Sequence, residues 1–141
     1  MNKLSLILVI IFFTGTAFGQ RIYWANKVVD FSSQLSETEY SAQQVLGKPN
    51  AMPQTGNNPT AWLPSKPNKL EYVTVSFEKQ VRVNQIVIAE SYNPSATYQI
   101  YLYDEDGKEH LVHTFVARPI DLQNRLINIF IDRTGYKVSA L

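Results

Sequence analysis

Alternation of apolar and polar positions along the second half of the chain predicts β-strands. In LEYVTVSF, Val73, Val75 and Phe77 share one face of a strand, and the residues between them share the other face. The next three residues, EKQ, are predicted to form a turn. The segment VRVNQIVIAES alternates at first and then becomes continuously apolar, which predicts a strand whose second half is covered on both faces.

A β-hairpin and two further strands are predicted after this segment. TYQIYLYD and EHLVHTFVA flank DEDG, where Gly107 suits the positive-φ position of a short turn. Ile100 and Leu102 are expected to face the core, and the tyrosines that follow each of them are expected to face outward. RLINIFID predicts another strand and RTGY a turn. KVSAL begins a last strand, which we interpret as interrupted by the end of the sequence.

The first half of the chain carries weaker signals. RIYWANKVVDFSSQ predicts an opening strand that ends near Phe31. Two overlapping capping boxes begin at Ser36 and Ser41, and they favour a short helix over residues 42–46 that Gly47 terminates. Short strands with turn signals every 8–12 residues are typical of an all-β antiparallel sandwich or barrel.

A long loop rich in proline and asparagine follows this helix, from Lys48 to Lys69. Such a loop in a compact domain is usually functional or disordered, and Trp62 within it indicates an ordered part. The pair Gly47-Lys48 at its start is not a phosphate loop, because it follows a helix and Pro49 stands where Ser or Thr is required. We interpret this pair as the end of the helix.

The first nineteen residues have the pattern of a signal peptide. A basic start is followed by an apolar run from Leu4 to Phe13, and cleavage is predicted between Gly19 and Gln20. The alternative is a membrane anchor, but the run is shorter than the roughly 20 residues that a spanning helix needs. Residues 20–141 are therefore predicted to form one exported domain in the periplasm, at the outer membrane or on the cell surface.

Composition narrows the possible partners. Loss of residues 1–19 removes one basic residue and leaves twelve basic and twelve acidic residues. Such a balance argues against nucleic acid as a partner and against electrostatic docking on anionic lipid. The chain has no cysteine, which excludes disulfides and a lipid anchor on an N-terminal cysteine, and no later run is apolar enough to span a membrane.

Metal binding and catalysis have little support in the sequence. A calcium ion could use backbone oxygens of the long loop and the side-chain oxygens of Asn50, Asn57 and Asn58, with Asp30 or Glu90 supplied from elsewhere. A plain loop is the alternative. His110 and His113, three residues apart on a strand, are expected to point to opposite faces and to lie on the surface. No catalytic motif is present, so we predict that the protein is not an enzyme.

Aromatic residues beside amides suggest a sugar site. Trp62 and Tyr92 are expected to stack on a sugar ring. The candidate hydrogen-bonding residues lie in the same two loops: Asn57, Asn58, Glu90 and Asn93. The alternative for Trp62 is that it closes one end of the sandwich.

The order of SAQQVLGKPN…AW, YVTVSFEKQVRVNQIVIAES and YQIYLYDEDGKEHLV resembles the galactose-binding-like jelly-roll domains, which include discoidin domains and many carbohydrate-binding modules. More narrowly, the chain looks like the N-terminal domain of Bacteroidetes envelope proteins that carry outer-membrane-protein-A-like domains. The resemblance implies one or two further strands, ligand loops at 47–62 and 90–93, and a structural calcium in the early loop.

The sequence therefore predicts an exported, non-catalytic binding module, with a glycan as the most plausible ligand. The alternative is a structural domain that docks on other proteins of an envelope assembly and has no small ligand. Members of the resembled superfamily bind sugars, lipids or proteins, or only support a neighbouring domain, so the fold does not decide between these functions.

Overall fold

The structure, a computed structural model, describes Gly19 and residues 21–66, 69–116, 120 and 122–141. The described strands are β1 (Ala25–Phe31), β2 (Val73–Val81), β3 (Gln85–Glu90), β4 (Gln99–Asp104), β5 (Glu109–Thr114), β6 (Arg125–Phe130) and β7 (Val138–Ala140). A short 3₁₀ helix, Ala42–Val45, lies between β1 and β2. The predicted all-β class is confirmed.

The strands form two antiparallel sheets. The large sheet has five strands in the order β1-β2-β7-β4-β5, and the small sheet pairs β3 with β6. The chain passes between the sheets four times, after β2, β3, β5 and β6. β7, the last described strand, is hydrogen-bonded on both sides, to β2 and to β4.

The core lies between the two sheets. Isoleucines of the small sheet pack against side chains of β4 and β7, and Leu102 is the most buried of them at 1% exposure. The buried cluster consists of Ile86, Ile100, Leu102, Ile127, Ile129 and Val138. Because the chain has no cysteine, this apolar packing is the main source of its stability.

The hairpin prediction is confirmed. β4 and β5 flank the turn, and Gly107 has a φ of +79°. Ile100 and Leu102 are buried as expected, whereas the intervening Tyr101 and the following Tyr103 lie on the other face.

Both histidines lie on the core side of the hairpin. His110 is opposite Leu102 and His113 is opposite Ile100, with a register shift between Ile100 and Tyr101. Directly opposite residues share a face of the sheet, so the expectation that the histidines point to opposite faces is wrong. A β-bulge adds one residue to β5 and changes the phase of its alternation.

Two expectations about β2 and β3 are also wrong. Glu78, Lys79 and Gln80 do not form a turn but continue β2, which reaches Val81. These three exposed residues lie between the pairs Ser76–Ala140 and Val81–Val138, where β2 advances by five residues while β7 advances by two. This irregularity in the pairing accommodates polar residues. The apolar run of β3 is not covered on both faces throughout, because Val87 within it is 47% exposed.

The predicted helix is shorter than expected and belongs to the 3₁₀ class. The Ser41 side chain makes no capping hydrogen bond. Instead, Gln34 Oε1 accepts a hydrogen bond from the Ala42 backbone N–H at 3.0 Å. Gly47 follows with a φ of +77°, as expected of a helix-terminating glycine, and its N–H donates to the Ala25 carbonyl at 2.7 Å.

The predicted signal peptide, residues 1–19, lies outside the described residues except for Gly19. Within the part of the chain that the structure describes, no helix is long and apolar enough to cross a bilayer.

Leu102→Ala should lower the free energy of unfolding by about 3 kcal/mol, because it leaves a cavity at the most buried side chain of the core. Urea denaturation followed by circular dichroism measures this change. Leu111→Ala is the control, since Leu111 is 53% exposed and its loss should cost under about 0.5 kcal/mol. Equal effects of the two substitutions would contradict the assignment of the core.

Candidate binding site

Three connecting segments meet at one end of the small sheet. β3 ends there at Glu90 and β6 begins there at Arg125. The Gly56 N–H of the long loop donates to the Ser91 carbonyl at 3.1 Å. Asn124 Nδ2 donates to the Pro53 carbonyl at 3.0 Å. The long loop is therefore tied to both segments that flank the small sheet.

An open cleft of about 430 Å³ lies among these segments. Its described lining combines apolar side chains with neutral polar ones: Thr55, Gly56, Tyr92, Asn93, Pro94, Ile120, Leu122 and Gln123. The Tyr92 side chain is 57% exposed. A cleft of this size is within the usual range for small-molecule sites, and an exposed aromatic ring beside amides is suited to a sugar.

Glu90 lies beneath the cleft, and it is not among the described residues that line it. The residue is only 9% exposed. One carboxylate oxygen accepts hydrogen bonds from the Ser95 backbone N–H and from Arg125 Nε, and the other accepts from the backbone N–H and the hydroxyl of Thr97. The side chain therefore holds the 91–97 loop, which carries Tyr92 and Asn93, against the end of β3.

The ionised form of Glu90 is favoured by its partners. Burial raises the pKa of Glu90, but hydrogen bonds from Arg125, Thr97 and Ser95 together outweigh burial and hold the pKa below its usual value. Arg125 Nη2 is buried and has no hydrogen-bond partner among the described residues. The Arg125 guanidinium carbon also lies 5.9 Å from the centre of the Phe115 ring.

The structure brings together part of the predicted sugar site. Tyr92 and Asn93 line the cleft, and Asn57 is exposed next to the lining residue Gly56. Asn58 is engaged within its own loop, because its Oδ1 accepts hydrogen bonds from the backbone and hydroxyl of Thr60. The Glu90 carboxylate accepts the hydrogen bonds from Ser95, Thr97 and Arg125 described above, and those from Ser95 and Thr97 position the 91–97 loop.

Trp62 is half-buried and is not among the described residues that line the cleft. Its indole N–H donates to the Ser33 carbonyl at 2.9 Å, which ties the end of the long loop to the segment after β1. This contact favours the alternative in which Trp62 closes the sandwich.

Three of the residues predicted to bind calcium, Asp30, Asn50 and Glu90, belong to different elements of the structure. Asp30 lies on β1 of the large sheet, where its Oδ2 accepts a hydrogen bond from the Tyr72 hydroxyl at 2.9 Å. Glu90 belongs to the small sheet and has both oxygens occupied, and Asn50 is exposed in the long loop. Among the described residues, no group of three or more acidic, histidine or cysteine side chains could hold a metal ion.

A second polar cluster stabilises the hairpin turn. Asp104 Oδ2 lies 2.8 Å from His110 Nε2, and the His110 ring stacks on Tyr136 with 4.0 Å between centroids. Hydrogen bonds from His110 and from the Lys108 backbone N–H hold the pKa of Asp104 below its usual value. His110 is therefore only partly exposed, with 25% of its side chain accessible, and it is held by Asp104 and Tyr136.

Sequence reasoning missed Arg125 and the part of the cleft that Ile120, Leu122 and Gln123 supply. Arg125 begins a predicted strand, and nothing in the local pattern distinguishes it from a solvent-exposed strand end. The pairing of Glu90 with Arg125 across the small sheet is a non-local contact. Opposite charges at the two ends of predicted strands would have been the only signal for this pair.

Comparisons of the chain with protein-family models, with curated proteins and with solved structures gave no significant match in any of the three. The resemblance to galactose-binding-like domains therefore remains a prediction. The structure itself shows the coarser class, two antiparallel sheets with almost no helix.

Glu90→Gln should lower the free energy of unfolding by about 3 kcal/mol at pH 7, because it leaves the partly buried Arg125 without a carboxylate partner. Glu105→Gln, in the exposed hairpin turn, is the control and should change stability by less than about 0.5 kcal/mol. Urea midpoints of the three proteins decide this, and an unchanged midpoint in Glu90→Gln would contradict the role given to the ion pair.

The stability that Glu90 contributes is expected to change with pH in a defined direction. Because the folded-state pKa of Glu90 is lowered, the stability that it contributes is present above the unfolded pKa of about 4.3 and is lost as the pH falls through the folded pKa. The difference in stability between the wild type and Glu90→Gln should therefore shrink on acidification. A difference that stays constant down to the acid transition would show that the charge of Glu90 is unimportant.

Trp62→Phe should lower the free energy of unfolding by about 1 kcal/mol, because the Ser33 carbonyl loses its donor while most of the ring remains. Thermal and urea unfolding measure the loss. Trp24→Phe, at a tryptophan that is 40% exposed, is the matched control and should have a smaller effect. If Trp62→Phe left stability unchanged but weakened ligand binding, Trp62 would be a ligand contact.

Proposed function

We propose that this protein is an exported, non-catalytic binding module of the cell envelope that recognises a glycan in the loop cleft. The observation that carries the proposal is the convergence of three loops around the exposed Tyr92 ring, with Asn93, Thr55 and Gln123 beside it. The ring offers a face to the C–H groups of a sugar, and the amides and hydroxyl offer hydrogen bonds to its hydroxyl groups.

The binding loops rest on a rigid base, which favours recognition. Glu90 fixes the 91–97 loop through three hydrogen bonds, so little conformational entropy remains to be lost there when a ligand binds. Export is proposed from the N-terminal sequence pattern, and the absence of catalysis from the lack of a catalytic motif.

The second candidate is a docking domain of an envelope assembly that binds no small ligand. It is favoured by apolar side chains exposed on the outer face of the small sheet, at Val87, Leu126 and Phe130. The two functions are compatible, since the cleft and this face use different residues.

A glycan array with the purified protein, followed by titration of the best ligand, tests the proposed function. Tyr92→Ala should weaken binding about tenfold or more without changing the melting temperature, because Tyr92 lines the cleft and is exposed. Tyr98→Ala is the matched control, at a tyrosine that is 46% exposed and is not among the described lining residues.

Equal loss of binding in both variants, or full binding in Tyr92→Ala, would show that the cleft is not the site. No glycan bound on the array, with folding intact, would favour the docking domain.

A further inference from the structure

The strand β6 (Arg125–Phe130) has an edge that the described chain leaves unpaired. β6 pairs with β3 on one side, and no described strand pairs with it on the other. The Ile131 N–H donates to the Asn84 carbonyl at 3.1 Å, and these two residues are opposite each other in the continued register. Because hydrogen-bonded and non-bonded pairs alternate, the backbone groups of residues 126, 128 and 130 point away from β3.

The same three residues place their side chains on the exposed outer face of the small sheet. Leu126 is 53% exposed, Phe130 is 75% exposed, and Asn128 between them is also exposed. Gln85 Nε2 of β3 donates to Asn128 Oδ1 at 3.1 Å, which holds this amide on the outer face. The edge and the face therefore offer backbone hydrogen-bonding groups and apolar surface together.

The edge strand β1 of the large sheet has features that prevent another strand from pairing with it. In the described part of the chain, the free edge of β6 in the small sheet does not have the same features. β1 has two register shifts and carries Lys27 and Asp30, and the Gly47 N–H occupies the Ala25 carbonyl. Bulges, charges and covering segments are the devices by which proteins prevent strand addition. The β3–β6 register has no shift over its six pairs, and residues 126–130 carry no charge.

We propose that β6 is a homodimerisation strand, which pairs antiparallel with β6 of a second copy of this chain. The two-fold axis passes between the Asn128 residues of the two copies, perpendicular to the sheet, so each face of one copy continues into the same face of the other. Leu126 then lies opposite the partner's Phe130, and Ile127 lies opposite the partner's Ile129. The product is a four-stranded sheet in the order β3-β6-β6-β3.

The sequence of β6 supports a second copy over an unrelated strand. Residues 126–130 read Leu-Ile-Asn-Ile-Phe, which is nearly palindromic about the asparagine. Antiparallel self-pairing about this centre therefore matches large apolar side chains on the outer face, isoleucines on the inner face and the two amides at the axis. The segment is neutral, so self-pairing brings no like charges together.

The size of this contact predicts a reversible dimer. Five paired residues extend over about 17 Å of strand, and the surface that they bury is well under the roughly 800 Å² per partner of a stable complex. Association should therefore depend on concentration over the micromolar to millimolar range.

Sedimentation equilibrium of the purified protein over that range tests the proposal. Asn128→Pro removes an N–H that points away from β3, so it should weaken dimerisation about tenfold or more while the β3 pairing persists. Phe130→Lys should have a similar effect, because it places a charge opposite an apolar side chain. Leu111→Lys, at an exposed residue of β5 in the large sheet, is the matched control and should dimerise as the wild type does.

A protein that stays monomeric at every concentration would overturn the proposal, as would a dimer unaffected by both β6 substitutions. If either variant failed to fold by circular dichroism, hydrogen exchange of the wild type would decide instead. The Asn128 and Phe130 amides should then exchange more slowly at high protein concentration than at low. Unchanged exchange, or slowing only on addition of a different extended peptide, would refute pairing between copies.

Discussion

The packing of the two-stranded sheet onto the five-stranded sheet is the interaction on which the rest of the structure depends. A two-stranded ribbon is at best marginally stable alone in water. The small sheet therefore owes its order to the isoleucines of its inner face, which meet Leu102 and its neighbours in the core. The loop that follows β3 and the loop that precedes β6 are both attached to this two-stranded sheet. The order of the cleft therefore depends on the packing between the two sheets.

Polar contacts at one end of the two-stranded sheet fix the conformation of the 91–97 loop. A buried carboxylate is tolerated only when it is fully hydrogen-bonded, and Glu90 meets that condition with Arg125 and with donors of the 91–97 loop. The arrangement of the loop is therefore specified by a non-local ion pair and not by its own residues alone.

Local patterns in the sequence predicted the features that depend on neighbouring residues. The hairpin at Gly107 and the burial of Ile100 and Leu102 follow from turn chemistry and from a period of two. Polar residues in an exposed, irregular part of β2 looked like a turn, because exposure and turn formation favour the same residue types. The ion pair of Glu90 is made with Arg125, thirty-five positions away, and no local pattern encodes it.

The bulge in β5 has a consequence for insertions and deletions in this domain. One extra residue sets the phase of every side chain between the bulge and the end of the strand, and Phe115 beside Arg125 lies directly beyond that end. Deleting the extra residue, Val112, would restore strict alternation and leave the residues that follow on their present faces, because His113 would stay opposite Ile100. Deleting Thr114 would instead place Phe115 opposite Gln99 on the outer face and take its ring away from the Arg125 guanidinium, so the hairpin should tolerate a shorter chain at the bulge and not beyond it.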